Sequence, residues 1–587
     1  MKSKKWGALL LSPLLAAGVF SVYSTPNQTF AAISTSDTSM QAESGHFTGQ
    51  TLQRTQFGQV QGYRDQANRA LVWQGIPYAA STAGAQRWKA PSDPAPWSGV
   101  LDATKPGSVA IQASGSETVG TEDALNLDIY RPDHTKEKLP VIVYIHGGNN
   151  QTGKSTEITG NSMVNDTNAV FVSVNYRLGP LGFNPLPALK TGTDEENSGN
   201  YALLDIAKSL DWVKANIEQF GGDPDNVTVA GFSAGGRDVM AMLISPLFEG
   251  KFDKAISFSG GMTIADEDAS AKTFAKAIAP LAVADGKKAT EQEAYDWLLT
   301  TGSDVRDYLY AVPAEKLAKL MSGAGIRMSV FPHLYADGTV LPKEGFDTKN
   351  YNDVPLLMLT GANEFSLFGR YDAYFAKNVA DNSINTDHNV MAKYNFINKY
   401  GGELYGLFNV QDSAQKMFGS YGADIYGMQI DFGSDAYVSG SDMSPLGAFH
   451  GVFVPLLSPG NTNYESIVGS AYDLPGAVDL GKTFRKYISN FVRSGDPNGG
   501  GLTQWKTWTP QNALNGESML ILDANRRKAI SYLSSPEFTY EQVLAAMRAD
   551  RTISEADKAE LISKVLNGRW FSGKLDQRFG NPSLWVK

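Results

Sequence analysis

Cysteine is absent from all 587 residues. That excludes a disulfide framework, a thiol nucleophile, a thiolate metal site and a lipid-modified cysteine anchor. Histidine is scarce: His46, His134, His146, His333, His388 and His450 are the whole set, so imidazole chemistry has few places to occur. Positive charge is in deficit, with a formal net charge of -10. A phosphate backbone is bound by concentrated basic surface, so nucleic acid is not an expected partner; solubility is a sufficient reason for the acidity. No long Pro/Gly/Ser linker, charge block or internal repeat divides the chain after its N-terminus, which argues for one large domain with insertions.

Long apolar runs are lacking too. Met1-Lys2-Ser3-Lys4-Lys5 is basic, and Trp6 to Val22 is apolar but contains Pro13 and is shorter than the roughly 20 residues a spanning helix needs. This is the pattern of a secretory signal, assigned to residues 1–32 with Ser24 and Ala31-Ala32 as cleavage points; an uncleaved anchor is the alternative. A polar segment, 33–56, then leads to a domain over 57–587. The expected product is secreted, periplasmic or extracellular, without stable membrane insertion once the signal is removed.

What is present is the composition of a folded protein: 42% hydrophobic, 11% aromatic, 19% charged. Short β-type runs alternate with helical ones, which predicts an α/β fold with a mostly parallel central sheet flanked by helices. Val141 to Ile145, Ala169 to Val174, Val227 to Ala230, Ala255 to Phe258, Pro355 to Leu359 and Asp424 to Ile430 read as strands. Leu203, Ile206, Leu210, Val213 and Ile217 mark one face of a helix over Tyr201 to Phe220, ended by Gly221-Gly222-Asp223-Pro224. Stretches around 263–328 and 365–421 read as mostly helical lid or pocket-wall insertions, and Glu555 to Leu566 as a helix capped by Ser554.

Within this frame Gly231-Phe232-Ser233-Ala234-Gly235-Gly236 follows a strand and precedes an apolar helical run. A Gly-x-Ser-x-Gly match alone is weak, but at a strand-to-helix turn the glycines let the backbone bend sharply and project the serine into a cleft. A serine hydroxyl needs an imidazole base oriented by a carboxylate, and with this turn the chain order is serine, acid, histidine. Order leaves His388 and His450. His388 lies in a polar run, 381–389, that reads as a solvated loop, whereas His450 sits in Gly447-Ala448-Phe449-His450-Gly451 just before an apolar segment; His450 is the better base. For the acid, Glu364 follows the strongest late strand directly, with Asp337 and Asp372 as competitors. His146-Gly147-Gly148-Asn149-Asn150 follows an earlier strand, the place from which backbone N–H groups, with that of Ala234, stabilise a tetrahedral intermediate.

With these residues assembled, the chain from about Phe57 to Trp508 resembles the type B carboxylesterase family, the cholinesterase-like branch of the α/β-hydrolase fold. The resemblance is carried by Gln74-Gly75-Ile76-Pro77-Tyr78-Ala79, Glu122-Asp123-Ala124-Leu125, Asn175-Tyr176-Arg177-Leu178-Gly179, Phe220-Gly221-Gly222-Asp223-Pro224, the segments around Ser233 and His450, and Gly495-Asp496-Pro497-Asn498. It implies a nucleophile at Ser233, a base at His450, an acid at Glu364 in a shortened loop, and oxyanion donors at Gly148, Asn149 and Ala234, with Asn149 where the family usually has a third glycine. The family's usual cysteine pair is replaced by Ala110 and Ala124. Two glutamates that usually flank nucleophile and base are replaced by Phe232 and Phe453, which makes these two the candidate substrate-pocket residues and disfavours cationic choline-like esters relative to neutral or aromatic ones; plain packing of the two rings in the core is the alternative reading.

The expected activity is that of a serine ester hydrolase acting on a small-molecule ester through an acyl-enzyme, without cofactor or metal. Two alternatives stand beside it. One keeps the chemistry and changes the substrate to a feruloyl or tannin-type polyphenol ester, for which the aromatic run Tyr371-Asp372-Ala373-Tyr374-Phe375 is the hint. The other is a non-catalytic binding module, since fold does not fix function.

Overall fold

Period-two alternation in the strands sends side chains to two opposite faces, and both faces are apolar. In the strand Leu139–Ile145, Val141, Val143 and Ile145 join one buried cluster while Ile142 and Tyr144 join another. Val170 and Val172 against Phe171, and Leu356 and Met358 against Leu357 and Leu359, divide in the same way. A sheet apolar on both sides must be covered on both sides, and it is. The computed structural model describes residues 47–535, 539–570 and 572–581; the signal assigned to 1–32, residues 33–46 of the polar segment and His46 lie outside the described residues.

The large sheet has eleven strands. In chain order they are β1 (Tyr63–Asp65), β2 (Ala70–Pro77), β3 (Asn126–Pro132), β4 (Leu139–Ile145), β5 (Val170–Val174), β6 (Gly222–Phe232), β7 (Lys254–Phe258), β8 (Leu356–Gly361), β9 (Ile425–Ile430), β10 (Met519–Ala524) and β11 (Ala529–Ser534). Their spatial order is β11-β10-β9-β8-β7-β6-β4-β5-β3-β2-β1. The run from β10 to β5 is parallel throughout, and both margins are antiparallel. All six strands expected from the sequence lie in the parallel part. The marginal strands escaped that reading because their apolar runs are broken, as at Gln74-Gly75 in β2, where the register with β3 shifts between Trp73 and Ile76.

Helix α1 (Tyr201–Asn216) buries Leu203, Ile206, Leu210 and Val213, continues as a tighter turn to Phe220, and stops at Gly221 with φ 73°. Helices α2 (Ala234–Met242), α3 (Glu267–Ala284) and α4 (His388–Gly406) follow, the last two inside the insertions at 263–328 and 365–421, which are mostly helical. Helix α5 (Pro475–Ser494) places Leu480, Phe484, Tyr487, Ile488 and Phe491 on the second cluster.

Near the end of the polar segment 33–56, Leu52–Arg54 pairs with Gln59–Gln61, and buried Phe47 lies under the Arg131 guanidinium at 4.2 Å. One expectation is corrected. His388 is not in a loop but opens α4, because the Asp387 carboxylate accepts from the N–H groups of Asn389 and Val390 and caps the helix. At Ala110 and Ala124, both buried, backbone bonds hold the segment: Ile111 N–H donates to Thr121 O at 3.0 Å and Thr121 N–H to Val109 O at 2.9 Å.

Among the described residues, no helix is long and apolar enough to cross a membrane. The loop after β5 is fixed to α1 by a buried fork. Arg177 donates to Asp205 through Nε at 2.8 Å and Nη2 at 2.6 Å, and through its own backbone N–H at 3.0 Å. Asp205→Ala would strand a buried guanidinium, at a cost of about 3–5 kcal/mol. Chemical denaturation of the variant should read a loss of that order, and unchanged stability would contradict the account.

Candidate active site

The turn after β6 is built by steric exclusion. Ser233 holds φ 56° and ψ −116°, a region that costs a residue with a side chain about 1–3 kcal/mol. A Cβ added at Gly231 would come within 2.1 Å of Gly235 O, at Gly235 within 2.1 Å of Ile145 O, and at Gly260 within 2.5 Å of Ser233 O. The turn is also pinned by Ser233 N–H donating to Phe258 O at 2.9 Å, at the end of β7. Ser233 is 5% exposed, and its hydroxyl forms no hydrogen bond to the described residues.

The carboxyl end of β8 delivers Glu364, fully buried. Its Oε1 accepts from Gly361 N–H at 2.6 Å, Ser259 Oγ at 2.5 Å and Thr360 Oγ1 at 3.2 Å. Its Oε2 lies 2.5 Å from His450 Nδ1. A carboxylate only accepts, so Nδ1 carries the proton and a neutral imidazole keeps its lone pair on Nε2. That Nε2 is buried and without a hydrogen-bond partner. The two loops are laced together, since Asn363 N–H donates to Ala448 O at 3.0 Å and Ala448 N–H to Asn363 Oδ1 at 3.1 Å.

The competing acids lie in other structural roles. Asp337 accepts the N–H groups of Thr339, Val340 and Leu341 and the amide of Asn200, which makes it a turn residue. Asp372 pairs with Arg569 at 2.8 Å.

The rings around His450 are Phe232 at 4.8 Å, Phe368 at 4.9 Å and Tyr405 at 5.5 Å between centroids. Phe453 packs edge-on to Phe232 at 5.1 Å and stacks on Phe258 at 4.3 Å. Phe232 and Phe453 are thus brought together, but at 2% and 0% exposure they form the wall behind the imidazole. The aromatic run at 371–375 packs elsewhere: the Tyr374 hydroxyl donates to Glu560, and Phe375 is buried against Tyr394.

After β4 the chain turns tightly against the Ser233 elbow. A Cβ at Gly147 would lie 3.1 Å from that of Ser233, and one at Gly148, φ 96°, would strike Thr152 O. Asn149 and Asn150 also hold positive φ, 57° and 55°. The backbone N–H groups of Gly148, Asn149 and Ala234 donate to no described residue, while that of Gly147 is taken by Glu157 Oε2 at 3.0 Å. His146, behind this turn, stacks on Tyr176 at 4.5 Å.

Sequence reasoning missed Ser259 and Thr360, the hydroxyls on Glu364. Ser259 had a readable signal, a polar residue at a strand's carboxyl end followed by Gly260-Gly261. Phe368 and Tyr405 had none, being brought in by the 365–421 insertion through tertiary packing.

Residues 49–425 match the model of the carboxylesterase family. The chain is 35% identical over 331 residues to a para-nitrobenzyl esterase of Bacillus subtilis (strain 168), which covers 54% of this chain and 63% of that protein. It is 29% identical to a liver carboxylesterase of Sus scrofa, over 87% of this chain and 95% of that protein. The solved structure of a PNB esterase superposes with a TM-score of 0.63 at 26% identity, covering 85% of this chain and all of the other, so the fold is that of the α/β-hydrolases.

Burial holds the His146 imidazole down at about 4, against an ordinary 6.5. The unfolded chain takes up that proton first, so the stability is complete above about pH 6.5 and is lost as pH falls from there towards 4. His333, pushed down by burial and then by the Arg237 charge, acts in the same direction. Thermal midpoints measured across pH 7 to 4 should therefore fall less steeply in His146→Gln than in the parent. An equal slope would remove His146 from the account.

Proposed function

This chain belongs to the carboxylesterase family and is a hydrolase of carboxylic esters, and from that premise we propose that it works through an acyl-enzyme on Ser233. His450 is the general base and acid, Glu364 orients it, and the N–H groups of Gly148, Asn149 and Ala234 receive the developing oxyanion. The observation that carries this reading is the 2.5 Å contact of His450 Nδ1 with the buried Glu364 carboxylate, which leaves Nε2 as a lone pair with no other partner.

The steps follow from these atoms. Ser233 Oγ bonds to the ester carbonyl carbon as its proton passes to His450 Nε2, and the carbonyl oxygen takes the negative charge. Three preset N–H groups stabilise that charge without reorganising. Collapse breaks the bond to the alcohol, which leaves with the proton from Nε2. Water then attacks the acyl carbon, again giving its proton to Nε2, and collapse returns that proton to Ser233 Oγ and frees the acid. The imidazolium formed at each step faces Glu364, whose charge is itself held by Ser259, Thr360 and the Gly361 N–H.

Neutral or aromatic esters are the proposed substrates. Phe232 and Phe453 stand where the family usually has glutamates, so no carboxylate is present there to favour a cationic alcohol group, and one relative carries an aromatic ester, para-nitrobenzyl, in its name. Export is proposed from the basic start at residues 1–5 and the short apolar stretch behind it.

Ser233→Ala should lower kcat/KM about ten-thousandfold or more with an unchanged circular dichroism spectrum, and undiminished hydrolysis by that variant would sink the mechanism. Glu364→Gln should cost about a thousandfold or more, while Asp337→Asn should leave kcat near that of the parent. Across a panel of 4-nitrophenyl, alkyl and choline esters, kcat/KM for the choline ester should be about tenfold lower or worse; a preference for it would overturn the substrate proposal.

A further inference from the structure

A guanidinium buried in a core is costly unless its donors are used. Arg237, one turn into α2 after Ser233, is fully buried. Its Nη2 donates to Asn149 Oδ1 at 2.9 Å, and its Nη1 approaches Met328 Sδ at 3.8 Å. Asn149 holds φ 57°, which asparagine tolerates better than most residues. Its own Nδ2 donates to Gln151 Oε1 at 3.1 Å, and Gln151 Nε2 donates to Met321 O at 2.5 Å. Met321 and Met328 belong to the insertion after β7. That stretch is also held by Arg569 Nε donating to Gly325 O at 2.9 Å.

The side chain of Asn149 is therefore held at both ends, by the helix that follows the nucleophile and by the insertion. A glycine at 149 would supply the same backbone N–H and the same φ with no such hold. We propose that Arg237 is a positioning residue that acts through the Asn149 side chain, and that the relay Arg237–Asn149–Gln151–Met321 sets the oxyanion donor from the insertion. This rests on the reading of Gly148, Asn149 and Ala234 as the oxyanion donors. The charge they meet exists only in the transition state, and a misplacement of about 1 Å costs about a hundredfold, so the relay acts on kcat with little effect on substrate binding.

The test uses the full-length protein with a 4-nitrophenyl ester and, separately, an aryl trifluoromethyl ketone. Ser233 Oγ adds to the ketone carbon, its proton passes to His450, and the former carbonyl oxygen keeps the charge in the same place. Arg237→Met, Asn149→Gly and Gln151→Leu should each lower kcat about tenfold to a hundredfold, with KM within about threefold of the parent. Affinity for the ketone should fall by the same factor as kcat/KM. Arg237→Met combined with Asn149→Gly should be no worse than the more damaging single variant, since both cut one bond. Should Arg237→Met fail to fold, the half-buried positions Asn149 and Gln151 decide. A kcat within twofold of the parent in both of those variants, or losses that multiply in the double variant, would overturn the relay. A parent enzyme that the ketone does not inhibit would instead break the underlying oxyanion reading.

Discussion

Everything in this site hangs on how closely three backbones approach one another around Ser233. Strand β6 cannot pass into α2 with Ser233 at φ 56° unless Gly231 and Gly235 leave no side chain between the turn, the end of β4 and the helix start. Gly260 does the same on the side of β7. The distances that an added Cβ would reach, 2.1 to 2.5 Å to backbone oxygens, are not relieved by rotating a side chain. The glycines of the motif are therefore a steric requirement, and the strain at Ser233 is sustained by the parallel strands packed on both sides of β6.

The second constraint is the burial of a carboxylate. Glu364 is taken wholly out of water, which is tolerable only because three donors and the imidazole occupy its oxygens. Those partners come from β7's end, β8's end and the loop that bears His450. Asn363 and Ala448, exchanging hydrogen bonds, fix the spacing of the last two. The rings of Phe232, Phe368 and Tyr405 then pack against the imidazole while leaving its direction to Glu364.

How much of this was legible depended on whether the information was local. The parallel strands showed because continuous apolar runs flank them, and Ser233, Glu364 and His450 showed because each stands just past a strand or in a short glycine-bounded loop. The marginal strands did not show, since Gln74-Gly75 interrupts β2. Helix α4 begins earlier than its polar sequence suggested because Asp387 caps it, a choice that composition alone reads as a loop. Phe232 was found by its departure from the family pattern, whereas Phe368 and Tyr405 arrive from a separate insertion and leave no local trace. The Arg237–Asn149 bond spans 88 residues, and nothing at either end announces the other.

In the proposed mechanism the acyl group passes through Ser233. The decisive measurement is to quench the enzyme in acid during turnover of a slowly deacylated 4-nitrophenyl ester and weigh its peptides by mass spectrometry. The peptide containing Ser233 should gain the mass of the acyl group, at a stoichiometry matching the 4-nitrophenol burst. A burst with the acyl mass on another peptide would contradict it.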